Sequence, residues 1–366
     1  MSIAAVPAYL GEGFQNASPG MRFGMYFAIW HRGWEKSNGP DWRTVCEMKN
    51  ERDIVRDIQK RQATHAEAIP DCFTLPAQSI APFVTGMGNE HPLENGFSFL
   101  WPYGLPYLPG SGIKGVLRQA ARELISGEWA DDTPWRQLPS PAGRGAGGVG
   151  LLALDILFGL ESEDRQTERF RGVLSFWDVI PNIKGDKLMV EIMTPHQTHY
   201  YRDGEQPHDS GQPTPISFLT VPPGSGFTFH VQCDLARLAR LAPELARDDD
   251  WKTLLESAFG HAFDWLGFGA KTAVGYGAMQ KDPDAGKSPL QREAEQWIED
   301  TVKKVKSANN IKADVEAVAS KPMAEQWCQI DDEELKQHVL GALKCSWEEK
   351  GRVPSKKAAR IYEEVQ

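Results

Sequence analysis

Two periods alternate along the first 285 residues, and few of the strand-like runs are apolar on both faces. Phe227-Thr-Phe-His-Val-Gln-Cys233 alternates apolar and polar side chains with period two, the pattern of a strand with one buried face. Val173–Ile180 and Leu188–Met193 read as further strands, bounded by Gly172, Pro181 and Pro195, and Met21–Trp30 as an N-terminal one. Between and after them, Trp251, Leu254, Leu255, Ala258, Phe259, Ala262, Phe263 and Leu266 share one face of a helix. Doubly wound parallel sheets need strands buried on both faces. The pattern therefore predicts an α+β fold with a largely antiparallel sheet.

The chain has 366 residues and carries 40 basic against 50 acidic side chains, a net charge of −10. That balance excludes loose electrostatic binding to nucleic acid over the whole surface, and leaves room for one local basic groove. No uninterrupted apolar run approaches the roughly 18 residues of a membrane span. The N-terminus lacks a basic stretch ahead of an apolar one, so no secretory signal is expected. Five cysteines, Cys46, Cys72, Cys233, Cys328 and Cys345, include no C-x-x-C pair, which fits reduced thiols in the cytoplasm.

Asp282-Pro-Asp-Ala-Gly-Lys-Ser-Pro289 has the composition of a linker. Beyond it, residues 286–366 hold 14 Lys/Arg, 15 Asp/Glu and no Phe. The expected organisation is a core of residues 1–285 and a charged helical appendage of residues 286–366. Two long polar loops are expected in the core, Pro139–Gly150 and Thr194–Pro215.

The most informative segment is Tyr107-Leu-Pro-Gly-Ser-Gly-Ile-Lys-Gly-Val-Leu-Arg118 and the helical pattern that continues it. Ile113, Val116, Leu117, Ala120, Ala121, Leu124 and Ile125 form an apolar stripe, while Lys114, Arg118 and Arg122 recur every four residues as a basic row. The row starts at a helix N-terminus preceded by Gly110, Ser111 and Gly112. Free backbone N–H groups and the helix dipole meet there, as in phosphate sites. The plainer alternative is an ordinary connection with a solvated basic face.

A second glycine segment, Leu266-Gly-Phe-Gly-Ala-Lys-Thr-Ala-Val-Gly-Tyr-Gly277, follows the later helix. Gly267, Gly269, Gly275 and Gly277 allow close backbone approach. Lys271 and Thr272 add a charge and a hydroxyl, and Tyr276 can stack on a base or pack in the sheet. Neither segment is a P-loop: Lys114 precedes Gly115, and Ala270 stands where that motif has glycine. Asp155 and Asp178, beside apolar runs, read as buried, capped carboxylates rather than catalytic ones. His196 and His199, with Tyr200, Tyr201, Asp203, His208 and Asp209 nearby, could begin a metal site or serve as acid and base in RNA cleavage. Their spacing is no specific metal signature, and Pro195 opposes a helix that would align the rings. No cofactor is called for.

Pro106–Arg118 resembles the "iPGSSiKGalR" signature of the RAMP superfamily of CRISPR proteins, and Gly267–Gly277 resembles its C-terminal glycine-rich loop. Val84–Gly96, Phe176–Pro181, Glu191–His196 with Tyr200-Tyr201, and Pro215–Val221 follow in the family order. Together they resemble the family that supplies the sixth subunit of the type III-B (Cmr) effector complex. Gly112 stands where that family often has a second serine. The resemblance covers residues 80–280 well, and the appendage not at all. It implies a modified RRM, or ferredoxin-like, βαββαβ core with long insertions. It implies a non-catalytic subunit that caps a filament wound on CRISPR RNA at the RNA's 3′ side and helps bind target RNA, which an Asp of a different subunit cuts. The partners implied are CRISPR RNA, target RNA and the other Cmr subunits, with no membrane. The expected RNA contacts are Gly110, Ser111, Gly112, Lys114, Arg118, Gly267, Gly269, Lys271, Thr272, Gly275 and Tyr276, with the two glycine turns side by side. The alternative is an endoribonuclease acting through His196 and His199.

Overall fold

The computed structural model describes residues 2–364 other than 12–13, 32, 38, 127–132, 136–146, 161–169, 195–203, 205, 207–214, 288, 350 and 352. It divides into two compact units, Met1–Pro283 and Asp284–Gln366.

The first unit is mixed helix and antiparallel sheet. Its principal elements are α1 (Arg52–Ala68), β1 (Cys72–Ser79), α2 (Gly110–Ser126), α3 (Gly147–Phe158), β2 (Leu174–Phe176), β3 (Met189–Met193), β4 (Ile216–Thr220), β5 (Gly226–Cys233), α4 (Asp250–His261) and β6 (Met279–Lys281). Four strands form the central sheet in the order β6-β1-β5-β2, each neighbour antiparallel. Thr74 lies opposite His230, Ser79 opposite Met279, and Phe176 opposite Val231. β3 and β4 pair separately, Met193 opposite Ile216.

The period-two segment behaves as its side chains dictate. Phe227, Phe229, Val231 and Cys233 of β5 are buried, whereas Thr228 between them is exposed. The Phe229 ring lies 5.0 Å from Phe259 of α4 and 5.1 Å from Phe268, so the apolar stripe of α4 closes the core against this face. On the other face His230 shares a 3.0 Å hydrogen bond with Thr74 Oγ1 across the ladder.

Two expectations are corrected. Met21–Trp30 is no strand: Pro19–Gly24 is helical, started by Pro19, and only Trp30 forms bridges, with Ile3 and Lys36. Gly147–Gly150, expected as loop, opens α3, while residues 139–146 lie outside the described part. The central strand β1 is an addition. Pro76 sits inside it, and its carbonyl accepts from Asp282 N–H at 3.0 Å, just past the end of the β6 ladder. The missing N–H faces the same side, where no ladder partner remains to be lost.

The second unit is helical: α5 (Pro289–Asn309), α6 (Asp314–Val318), α7 (Lys321–Cys328), α8 (Glu333–Glu349) and α9 (Lys356–Glu364). Its own core gathers Trp327, Trp347 and Tyr362, with the Tyr362 ring 5.0 Å and 5.3 Å from the two indoles.

Candidate nucleic-acid interface

The first glycine turn is built by close approach. A Cβ on Gly110 would stand 2.2 Å from the carbonyl oxygen of Phe176, so only glycine lets α2 start against the end of β2. The Gly110 N–H donates to Asp178 Oδ1 at 2.8 Å, and the Gly112 and Ile113 N–H groups donate to the Pro109 carbonyl. Three donors of the first turn are thus engaged within the chain. Gly112 and Ser111 are exposed, and a Cβ on Gly112 would meet only a methyl of Leu108 at 3.8 Å.

The basic row of α2 splits by burial. Lys114 is half-buried, Arg122 is exposed, and Arg118 is 8% exposed. The Arg118 guanidinium lies 4.0 Å from Asp155 of α3. Burial raises the Asp155 carboxyl, and the charges of Arg118 and Arg122 pull it back down. Arg118, expected beside Lys114 on a shared phosphate, therefore points its charge at a neighbouring helix. The spacing of four places it on the same helix stripe but does not reveal that α3 covers that stripe. Glu123 and His261 tie α2 to α4 through a 2.6 Å contact.

The second turn is stitched to the segment that follows β1. Ala270 N–H donates to Val84 O at 2.8 Å, Gly277 N–H to Pro82 O at 2.8 Å, and Phe268 N–H to Gly277 O at 2.9 Å. A Cβ on Gly269 would sit 2.3 Å from Val84 O. Gly267 and Gly275 hold positive φ in the same loop. Lys271 does too, at φ +59°, which is uncommon for a residue with a Cβ. Its ammonium lies 3.5 Å from Met193 Sδ and 5.6 Å from the centre of the buried Phe218 ring. Among the described residues neither Lys271 nor Lys114 is in an ion pair. Thr272 is half-buried, and its carbonyl accepts from Gly275 N–H at 2.9 Å. Tyr276 packs on Phe218, ring centres 5.8 Å apart. Burial and then the charge of Glu191 raise the pKa of its hydroxyl.

The register fixes where the turns lie. β1 ends and β6 begins at one end of the sheet, where Gly277 leads into β6. β2 runs parallel to β1, because both oppose β5, but Phe176 and Phe73 share the partner Val231, so β2 ends level with the start of β1. The turns lie on opposite edge strands, about 14 Å apart across a regular ladder, and the six residues from Phe73 to Ser79 separate them by about 20 Å more along the strands. α2 bridges the gap by packing against the π-helical turn Ala262–Leu266, which leads into Gly267.

His196, His199, Tyr200, Tyr201, Asp203, His208 and Asp209 lie outside the described residues. Sequence reasoning missed the apolar seat of Lys271, since Met193 and Phe218 arrive from the β3–β4 pair. Asp178, expected to be buried, is exposed instead, and its carboxylate accepts the Gly110 N–H at the start of α2. Cys46 and Cys233 are buried, their thiols pushed up to about 11 and about 12, so neither is a thiolate near neutral pH.

The family model of the RAMP superfamily matches residues 77–280, more than half of the chain and the stretch that holds both glycine turns. The chain is 29% identical over 240 residues to the CRISPR system Cmr subunit Cmr6 of Pyrococcus furiosus, a match that spans 54% of this chain and 64% of that protein. The crystal structure of Cmr6 from Pyrococcus furiosus aligns with 26% identity over 58% of this chain and 97% of that one, TM-score 0.31. A chain of the cryo-EM structure of the type III-B Cmr-beta bound to cognate target RNA aligns with 19% identity over 65% of this chain and 69% of that one, TM-score 0.44.

Proposed function

The chain belongs to the RAMP superfamily, and from that membership we propose that it is a non-catalytic RNA-binding subunit of a type III-B CRISPR ribonucleoprotein. In this reading it caps the protein filament, holds the 3′ region of the CRISPR RNA and helps bind target RNA in antiviral defence. Its partners are those two RNAs and the other Cmr subunits, and its place is the cytoplasm. Residues 1–285 are the RNA-binding core and residues 286–366 an added helical unit. β1, α2, β2, β5, α4 and β6 serve as the six elements of a ferredoxin-like βαββαβ core, with the remaining segments as insertions; the strand order β6-β1-β5-β2 supports this assignment.

The observation that carries the proposal is the pair of lysines without an ion-pair partner among the described residues, each set on a glycine-built turn, in a chain of net charge −10. An ammonium without a carboxylate partner keeps its charge available for phosphate. Backbone N–H groups and lysines read the sugar-phosphate chain whatever its sequence, which suits a subunit that must accept any guide. Lys114 and Lys271 neutralise phosphates. Ser111, Gly112, Gly275 and Thr272 line the approach, while Gly110, Gly267 and Gly269 let the backbone pack closely enough to form the two turns. Arg118 supports the interface through Asp155, and Tyr276 through Phe218.

The test is a gel-shift titration of the purified full chain with single-stranded RNAs of one length and several sequences. Binding of comparable strength to all of them, with every RNA recovered intact, supports the proposal. Absence of binding refutes RNA recognition, and cleavage of the RNA refutes the non-catalytic role.

A further inference from the structure

The second unit sets a group of cations against the grain of its own helix. Lys350-Gly-Arg-Val-Pro-Ser-Lys-Lys-Ala-Ala-Arg-Ile-Tyr362 holds five cations and no Asp or Glu in 13 residues, in a chain of net charge −10. Lys350 and Arg352 lie outside the described residues. Lys356, Lys357 and Arg360 of α9 are exposed, and among the described residues none of the three is in an ion pair. α9 presents them from a fixed base: Ala358 and Tyr362 are buried in the unit's core, Ser355 N–H donates to Ala319 O at 3.0 Å, and Ser355 Oγ accepts from Ala358 N–H at 3.2 Å. Spacings of three and four place Lys357 and Lys356 one turn before Arg360, so the three charges are neighbours on the helix surface. The helix dipole favours negative side chains at an N-terminus and positive ones at a C-terminus. α8 obeys this: Asp331, Asp332, Glu333 and Glu334 stand at its start, and Asp332 Oδ1 accepts from the Glu334 and Leu335 N–H groups. α9 reverses it, with Lys356 and Lys357 in its first turn and Glu363 and Glu364 in its last. Side-chain charge and dipole add to one positive field there, at a cost that a bound anion relieves.

We infer that Lys356, Lys357 and Arg360 form a contact for the phosphodiester backbone of a nucleic acid, one that does not depend on the glycine turns of the first unit. A strand offers phosphates in a row, and a short run of exposed cations neutralises them without a pocket. A protein partner is the poorer fit. The centres of protein interfaces are depleted in lysine and built on aromatic anchors, whereas Val353, 82% exposed, is the one exposed large apolar side chain described in this segment. A membrane surface fits poorly too. An interfacial helix needs its apolar face free, and that of α9 is turned into the core with Ala358 and Tyr362.

The test compares the full chain with its Lys356→Gln/Lys357→Gln/Arg360→Gln variant in salt titrations of binding to single-stranded RNA and to single-stranded DNA. Loss of three phosphate contacts flattens the plot of log K against log salt by about 2.1 and weakens binding roughly ten- to a hundredfold at about 0.1 M salt. That result with either strand supports the contact and tells which strand fills it. Urea unfolding checks that the variant is folded; it is expected to be no less stable, because the charges removed oppose the helix dipole. In the unmodified chain, RNA carrying 4-thiouridine crosslinks to the peptide that holds Lys356 and Arg360. An unchanged slope with both strands, or no crosslink in that peptide, refutes the contact, whatever Lys114→Ala/Lys271→Ala does to the slope. A slope flattened by the glutamine variant and untouched by Lys114→Ala/Lys271→Ala upholds the contact and refutes the role of those two lysines. If the unmodified chain binds neither strand but sediments with vesicles containing phosphatidylserine, the patch is a membrane-surface site and the nucleic-acid contact is refuted.

Discussion

Asp178 Oδ1 accepts a 2.8 Å hydrogen bond from the Gly110 N–H, so a carboxylate of the chain itself occupies the first donor of α2. A helix N-terminus that looked open to phosphate from its glycines is capped from a distant segment. The role left to α2 in RNA binding rests mainly on Lys114. Asp178→Ala removes this cap and destabilises the protein by about 1 kcal/mol, read as a shift in the urea midpoint. The same change frees the Gly110 N–H and removes a negative charge near Lys114, so RNA affinity rises. A fall in affinity would mean that Asp178 helps shape the contact.

Gly110 and Gly112 stand two residues apart and respond oppositely to alanine. A Cβ at position 110 meets the Phe176 carbonyl at 2.2 Å, and Gly110→Ala costs about 1–3 kcal/mol as the helix is pushed off β2. At position 112 the nearest atom is at 3.8 Å, and Gly112→Ala is neutral or stabilising by up to about 1 kcal/mol through helix propensity. Equilibrium unfolding in urea separates the two variants.

Lys271 carries charge and strain at one residue. Its positive φ costs a side-chain-bearing residue about 1 kcal/mol relative to glycine. Lys271→Gly therefore raises stability while Lys271→Ala does not, and both lose RNA affinity to the same extent. Thermal melts and filter binding on the two variants divide strain from charge.

The core was legible where burial repeats along the chain. The stripe from Ile113 to Ile125 gave α2, and Phe227 to Cys233 gave β5. Asp178 was expected to be buried because it sits beside an apolar run; that it is exposed and caps α2 depends on where the distant Gly110 arrives. β1 was not readable, because Pro76 argues against a central strand until the short β6 is known to end beside it. The burial of Arg118 was hidden for a related reason: a spacing of four says which residues share a helix stripe, not which helix covers it. Lys271 was visible as a cation in a glycine loop, but its seat on Met193 and Phe218 comes from strands far away in sequence.

His230 and His91 make stability depend on pH. Burial holds both below the ordinary value of 6.5, because the charged form loses its hydration there. The unfolded chain then takes up protons more readily than the folded one. The stability these groups contribute is complete above pH 6.5 and is lost as the pH falls through their lowered folded-state values. Urea midpoints measured at pH 7.5 and at pH 5.5 should show this loss. His230→Gln, which cannot gain the charge, should reduce it.

The most direct measurement of the central claim is the salt dependence of guide-RNA binding by the unmodified chain and by the Lys114→Ala/Lys271→Ala double variant. Two lost phosphate contacts on a single strand flatten the plot of log K against log salt by about 1.4. That change, with Arg118→Ala leaving the slope where it was, is the predicted result. An unchanged slope in the double variant would contradict the assignment of these two lysines to the RNA backbone.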